Sequence, residues 1–128
     1  MILVDASVII DFLRKPDPRI RQIFVAQGAA ICGVTLAEVL HGARNAADYG
    51  KILGALAALP HVPIGEALWE HVGRNLFQLR TRGVTVPFQD VVIATVAIDN
   101  DIELWTRDQQ FGMIRQVLPA LRLFAEPP

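Results

Sequence analysis

Short apolar runs alternate with longer amphipathic stretches along the whole chain. Ile2–Val4 is apolar and ends at Asp5, and the apolar residues after Ser7 recur at helical spacing. The stretch 66–81 carries an apolar stripe with polar residues off it, as a surface helix does. The pattern predicts strands at 2–4, 29–34, 61–64, 102–105 and 122–124, and helices between Ser7 and Pro16 and at 19–26, 35–44, 46–59, 66–81, 90–99 and 108–114.

The order of these elements indicates the fold class. Short apolar strands that alternate with helices are typical of a parallel sheet covered on both faces. We therefore expect an α/β protein, a three-layer α/β/α sandwich with a mainly parallel central sheet of four to five strands. The helix at 90–99 is apolar on nearly every side, so we expect it to be deeply buried or to face a partner.

The composition fits a single domain, 1–128, that folds without a disulfide or structural metal. The chain has 128 residues, 52% of them apolar, and a formal net charge of −1. A domain of this length buries enough surface to fold unaided. Its longest nearly apolar stretch, 91–98, is far shorter than the ~20 residues that span a bilayer, so we expect no membrane association. The lone Cys32 has no partner for an internal disulfide, which favours a reducing cytoplasm.

Four acidic residues lie at the predicted junctions between strands and helices. Asp5 ends the first strand, and Glu38 lies in the first turn of the helix after the second strand. Asp90 opens the helix that leads into the fourth strand, and Asp108 lies just beyond that strand. The carboxyl ends of parallel strands share one edge of the sheet, which is where ligands bind. We therefore expect the four acids to converge at this edge.

Ionised carboxylates that crowd together raise one another's pKa, so such a group needs positive charge. A divalent cation supplies it, and all-oxygen ligands favour Mg²⁺ or Mn²⁺ over Zn²⁺. Ser7 and Thr106 each lie two residues from an acid and are expected to support a carboxylate or a bound water by hydrogen bonding. Four residues lack metal-ligand spacing or lie within a strand and are interpreted as structural: His41, His61, His71 and Cys32.

The acids also have structural interpretations. Thr35 and Glu38 have the spacing of a capping box, Asp90 suits a helix dipole and Asp108 suits a helix cap. A metal site is the better explanation, because otherwise several unrelated capping residues would have to lie at the same edge of the sheet by coincidence. Asp11 lines the rim of the cleft or faces water. The remaining acids are expected to be solvated: Asp17, Asp48, Glu66, Glu70, Asp99, Asp101, Glu103 and Glu126.

Four ordered motifs contain these acids. They are Val4-Asp5-Ala6-Ser7 with Ile9-Ile10-Asp11, Thr35-Leu36-Ala37-Glu38-Val39 with Gly42, Asp90 with Ile93-Ala94 and Ala97, and Thr106-Arg107-Asp108 with Phe111. In order and spacing the set resembles the PIN-domain nucleases, and among them the VapC-type toxins of bacterial and archaeal toxin-antitoxin pairs. The resemblance covers essentially the whole chain.

The resemblance implies a PIN-like fold and a metal-dependent endoribonuclease that acts on RNA. Matched by position, the catalytic acids around one or two Mg²⁺ or Mn²⁺ ions would be Asp5, Glu38, Asp90 and Asp108. Ser7 and Thr106 would be their polar support. In the family the last acidic position is Asp or Asn. The resemblance also implies a homodimer and a cognate VapB-like antitoxin protein, whose C-terminal segment packs across the toxin and reaches the acidic cleft.

Other interpretations remain open. Arg44, Arg82 and Arg107 are candidates for holding flanking phosphates, although each is also explained as a solvated charge. A phosphatase of the haloacid-dehalogenase type needs an Asp at the position of Ser7, and a phosphoacceptor receiver domain needs a late Lys that the chain lacks. The main alternative to a nuclease is a catalytically inactive PIN-like module that binds protein or RNA.

Overall fold

The computed structural model describes residues 1–128 and contains three strands and seven helices. The longest helix has 16 residues, and no helix is both long and apolar enough to cross a membrane. The strands are β1 (Ile2–Val4), β2 (Ala29–Ala30) and β3 (Glu103–Trp105). The helices are α1 (Ala6–Arg14), α2 (Pro18–Gln27), α3 (Gly33–His41), α4 (Ala46–Ala57), α5 (Glu66–Thr81), α6 (Phe88–Asp99) and α7 (Gln110–Val117).

The strands form a parallel sheet in the order β2-β1-β3, which confirms the predicted direction of the strands. β1 is the central strand and pairs with both neighbours. Single parallel bridges extend the sheet on each side, between Ile31 and His61 and between Leu104 and Leu123. The predicted third and fifth strands are thus each reduced to one bridging residue.

Alternate residues of the strands enter two separate cores, one on each face of the sheet. Leu3 and Leu104 belong to the core formed with α5, α6 and α7. Ile2, Val4 and Trp105 belong to the core formed with α1, α2, α3 and α4. The sheet is therefore the middle of three layers, and the predicted α/β/α sandwich is confirmed.

Helix α6 is enclosed along most of its length. The eight residues from Asp90 to Ala97 are all buried, because α6 packs against α3, α5, α7 and β3. The buried Thr95 hydroxyl donates to the Val91 carbonyl at 2.7 Å and accepts from the Asn75 amide at 2.9 Å, so it is satisfied without water. The expected deep burial of this helix is confirmed, and it fixes the position of the first turn that carries Asp90.

The predicted second strand is too long, and the predicted capping box is wrong. β2 ends at Ala30, and α3 begins at Gly33 with Cys32 as its N-cap, so Thr35 lies inside the helix. No side chain caps this helix. The run 29–34 is apolar throughout because a buried strand and the buried start of a helix have the same composition.

Truncation of the α6 core should destabilise the fold strongly. Ile93 is fully buried, and Ile93→Ala should lower the free energy of unfolding by about 2–5 kcal/mol, because it removes buried methyl groups and leaves a cavity. Urea unfolding followed by circular dichroism measures this loss. Val25→Ala is the matched control, since Val25 is 81% exposed and its truncation should change stability by less than about 0.5 kcal/mol. Equal losses in the two variants would contradict a central role for α6.

Candidate active site

The carboxyl edge of the sheet brings the four predicted acids into one region. Asp5 follows β1 and caps α1, Glu38 lies on α3, and Asp90 lies in the first turn of α6. Asp108 lies in the loop between β3 and α7. The charges of Asp5 and Asp108 both act on Glu38 and on Asp90. These four residues are called the acidic cluster below.

Asp5 is almost completely buried and is held through one of its two oxygens. The hydroxyls of Ser7 and Thr106 donate to Oδ2 at 2.7 and 2.9 Å, and the Ser7 amide donates to the same oxygen at 3.4 Å. Oδ1 accepts none of these hydrogen bonds. The carboxylate is therefore fixed in direction by Oδ2, while Oδ1 is left for another ligand.

The two hydroxyls that hold Asp5 are themselves oriented by the loop after β3. Ser7 Oγ accepts from the Arg107 amide at 3.0 Å, and Thr106 Oγ1 accepts from the Asp108 amide at 3.0 Å. Each hydroxyl has a single hydrogen and gives it to Asp5, so the 3.3 Å contact between the two hydroxyls adds no further hydrogen bond. The loop and the start of α1 are thus joined through one carboxylate.

Glu38 has a carboxylate oxygen that no group in the chain satisfies. Its Oε1 is buried and has no hydrogen-bond partner, and the capping role considered for it does not exist, because α3 has no side-chain cap. Burial raises the pKa of Glu38, and the charges of Asp5 and Asp108 raise it further. An unpaired carboxylate oxygen inside a protein is unfavourable unless a ligand occupies it.

Asp90 is the second buried acid of the cluster, 6% exposed at the first turn of α6. Burial raises the pKa of Asp90 to about 7, and the charges of Asp108, Asp5 and Glu38 act in the same direction. The positive end of the helix dipole favours the ionised form but does not offset these effects. Without a cation, this carboxyl is therefore partly protonated near neutral pH.

Asp108 differs from the other three acids because it is exposed. α7 begins at Gln110 rather than at Asp108, and Asp108 Oδ1 accepts from the Gln110 amide at 3.0 Å. The N-cap of α7 is Gln109 and no side chain caps this helix, so the helix-cap role considered for Asp108 is wrong. Its charge nevertheless raises the pKa of both Glu38 and Asp90, so Asp108 is the exposed member of the acidic cluster.

No protein cation neutralises the acidic cluster. The chain has twelve Lys and Arg residues, and they form five ion pairs in the structure, all with acids outside the cluster. The repulsion among the four carboxylates is therefore uncompensated by the protein itself. Such an arrangement is expected where an external cation binds.

The cluster fits a hydrated divalent cation. Its potential ligands are all carboxylate or hydroxyl oxygens, which suits Mg²⁺ or Mn²⁺. No three Asp, Glu, His or Cys side chains are arranged to hold one ion directly. Mg²⁺ does not require such a group, because it keeps several waters and is bound through one or two carboxylates. The unpaired oxygens of Asp5 and Glu38 are the observation that favours this kind of ion.

His61, His71 and Cys32 have contacts of their own, whereas His41 is exposed. His61 Nε2 lies 3.1 Å from a backbone carbonyl of α4, and His71 Nδ1 pairs with Asp99, an acid that was expected to be solvated. Cys32 is buried as the N-cap of α3, with its Sγ 3.9 Å from the Thr35 hydroxyl. None of these side chains belongs to a group that could hold a metal.

Of the three candidate arginines, Arg107 is the one joined to the cluster, since its loop carries two of the site residues. Its guanidinium pairs with Asp11 at 2.9 Å and with Glu126 at 2.9 Å. Arg44 pairs with an acid on α4 and its side chain is 84% exposed. Arg82 is exposed at the end of α5.

Glu126 is engaged by the chain, which differs from the expectation that it is solvated. Its Oε1 accepts from the indole N–H of the fully buried Trp105 at 2.7 Å. No sequence pattern pairs these two residues, which lie 21 positions apart. The only signal in the sequence is that a Trp in a buried strand needs an acceptor for its N–H, and that requirement does not say which residue supplies it.

The chain matches the family model of the PIN domain over residues 2–116. This match spans most of the 128 residues, so the chain belongs to the PIN domain family. No curated protein is similar enough in sequence to count as a match.

Solved structures share the fold at low sequence identity. VapBC2 from Rickettsia felis, bound to promoter DNA, has a TM-score of 0.83 at 19% identity, covering 97% of this chain and 98% of that one. DNA-bound VapBC from Salmonella typhimurium has a TM-score of 0.82 at 22% identity, with 96% of each chain covered. The sarcin-ricin loop cleaving toxin VapC20 from Mycobacterium tuberculosis has a TM-score of 0.71 at 14% identity, covering 88% and 94%. These similarities confirm the PIN fold.

The metal-free protein should lose stability as the pH rises, and Asp90→Asn should remove part of that loss. A carboxyl with a raised pKa holds its proton more tightly in the folded chain than in the unfolded one, so folding becomes less favourable as the pH rises from about 4 through about 7. One pKa unit corresponds to about 1.4 kcal/mol, so the contribution is on the order of a few kcal/mol. Guanidinium unfolding in EDTA at pH 5 to 8 measures it.

Asp101→Asn is the matched control for this experiment. The Asp101 side chain is 93% exposed, and asparagine tolerates its positive φ of 53°. This variant should keep the wild-type dependence of stability on pH. If Asp90→Asn kept it too, repulsion within the acidic cluster would not limit the stability of the free protein.

Proposed function

We propose that residues 1–128 form a single PIN-like domain that acts as a VapC-type toxin, a metal-dependent endoribonuclease that hydrolyses RNA phosphodiester bonds. The observation that carries the proposal is the acidic cluster itself: the buried Asp5 and Asp90 and the unpaired Oε1 of Glu38, with no protein cation among them. A purely structural group of buried acids would be paired or hydrogen-bonded. This group is instead left open to a positive ligand.

Charge explains why the proposed reaction needs a metal. A phosphodiester is anionic, so the bare cluster repels it. When bound, Mg²⁺ or Mn²⁺ would supply positive charge for the phosphate, make a water more acidic and stabilise the leaving oxygen. The residues that would hold one or two such ions are the buried or half-buried Asp5, Glu38 and Asp90 and the exposed Asp108.

The chain's own polar residues orient this site. The hydroxyls of Ser7 and Thr106 fix Asp5 through Oδ2, so its other oxygen keeps one direction. Arg107 is suited to a neighbouring phosphate, because its guanidinium has five N–H groups and only three are used, one toward Asp11 and two toward Glu126. RNA would thus be held by a cation beside the cluster and by the metal within it.

We also propose that a cognate VapB-like antitoxin neutralises this protein. Similar structures include VapBC assemblies from Rickettsia felis, Salmonella typhimurium and Haemophilus influenzae. Large apolar side chains on the surface support protein partners, including a second copy in a homodimer. The lone free Cys32 supports a cytoplasmic location. The exposed apolar residues are Met1, Leu13, Val25, Tyr49, Leu53, Trp69, Phe77, Phe88 and Met113.

Purified protein without a partner should cleave RNA only when Mg²⁺ or Mn²⁺ is present. Asp5→Asn and Asp90→Asn should each abolish cleavage, because each removes a ligand charge at nearly constant volume. The measurement incubates a broad panel of structured RNAs with each protein, in EDTA or in millimolar metal, and maps the cleaved ends. Circular dichroism verifies that the variants are folded.

Asp101→Asn should retain wild-type cleavage, since Asp101 is exposed and outside the acidic cluster. An absence of metal-dependent cleavage across the whole panel would favour the catalytically inactive binding module. Full activity in either cluster variant would remove that residue from the site.

Mn²⁺ should raise the melting temperature of the wild-type protein but not that of Asp5→Asn. A ligand that binds only the folded state stabilises it by about 2.7 kcal/mol at 100 times its Kd, which corresponds to several degrees in a domain of this size. Thermal denaturation over a range of Mn²⁺ concentrations measures the shift, with Asp101→Asn as the control. A melting temperature that does not change at millimolar Mn²⁺ would contradict a specific metal site.

A further inference from the structure

The carboxylate of Glu126, in the C-terminal segment, accepts three hydrogen bonds. Its Oε1 accepts from Trp105 Nε1 at 2.7 Å and from Arg107 Nε at 2.9 Å, and its Oε2 accepts from Arg107 Nη2 at 3.0 Å. The two donors flank Thr106, the residue that hydrogen-bonds to Asp5. One distant carboxylate therefore contacts the chain on both sides of a residue that supports the acidic cluster.

The contact with Trp105 fixes the end of β3. The Trp105 side chain is fully buried and packs against the rings of Phe24 and Phe124, with centroids 5.5 and 5.3 Å away. Its indole N–H donates to Glu126. A buried N–H that loses its acceptor is unfavourable. Glu126 therefore fixes the position of the indole and of the backbone at Trp105.

The contact with Arg107 fixes the following loop. The guanidinium is held between Glu126 and Asp11, the latter from α1, at distances of 2.9 to 3.0 Å. The backbone amide of the same residue donates to Ser7 Oγ at 3.0 Å. Arg107 is therefore held at both ends, and its side-chain anchor sets the position of an amide that orients a hydroxyl donor to Asp5.

The structure assigns Glu126 the role of a positioning residue, which holds Trp105 and Arg107 so that the loop 106–108 keeps Ser7 and Thr106 aligned on Asp5. The inference rests on the proposed function as far as metal binding and cleavage are concerned. The alignment of the loop is a property of the free protein and is tested separately. Paired charges in this contact also lower the pKa of Glu126, with the Arg107 hydrogen bonds as the main cause.

The first test measures hydrogen exchange by NMR in the metal-free protein. In Glu126→Ala, the amides of Arg107 and Asp108 should exchange about tenfold faster than in the wild type, because their acceptors on Ser7 and Thr106 lose alignment. Amides at the centre of α6 serve as an internal reference and should not change. Unchanged exchange at both loop amides would overturn the inference.

The second test measures the response to metal and separates positioning from general stability. Glu126→Ala should need about tenfold more Mn²⁺ than the wild type to reach half of its maximal rise in melting temperature, and should cleave RNA about tenfold more slowly. Glu126→Gln keeps an Oε1 that can accept from both donors, so it should lie between the two. Glu70→Ala, an exposed change on α5, should match the wild type.

The outcomes distinguish the two proposals. If Glu126→Ala lowers the metal-free melting temperature but needs the same Mn²⁺ concentration as the wild type, Glu126 is only structural and the inference is wrong. If the wild-type protein neither responds to Mn²⁺ nor cleaves RNA, the proposed function fails. The exchange of the loop amides then still decides whether Glu126 positions them.

Discussion

Mutual repulsion among four carboxylates is the constraint around which this structure is arranged. Two of them, Asp5 and Asp90, are buried, and the pKa of Asp90 is raised to about 7 by burial and by its neighbours. Left to themselves, such charges would move apart into water. They stay together because the free energy of two apolar cores, one on each face of the sheet, far exceeds the local penalty.

The carboxylates stay close together despite their repulsion, because each acid belongs to a different element of the fold. Asp5 is fixed by the central strand and by two hydroxyls, while Asp90 is fixed by a helix that is buried over eight residues. Glu38 comes from a third element, α3, which also packs against α6. No single local rearrangement separates the carboxylates. A site of this kind loses stability in the free protein and regains it when a cation binds.

Much of this site could be predicted because parallel topology places the ends of strands together. A run as short as Ile2–Val4 is sufficient to locate Asp5, and the periodicity of 66–81 and the apolar character of 90–99 define α5 and α6. The boundary between β2 and α3 could not be predicted. Cys32 and its neighbours are apolar, and apolar residues fit a buried strand and the buried start of a helix equally well. Sequence spacing also suggested a cap for Glu38 where the structure leaves an unpaired oxygen.

The contact between Arg107 and Glu126 could not be predicted, because it depends on how the C-terminal segment continues after its bridge to β3. It has a consequence for the acidic cluster. Arg107 lies on the loop that supports Asp5, but its guanidinium donates only to acids outside the cluster. These acids are Glu126 and Asp11. This protein cation is therefore neutralised by two acids outside the cluster, and the negative charge of the cluster remains available to a metal.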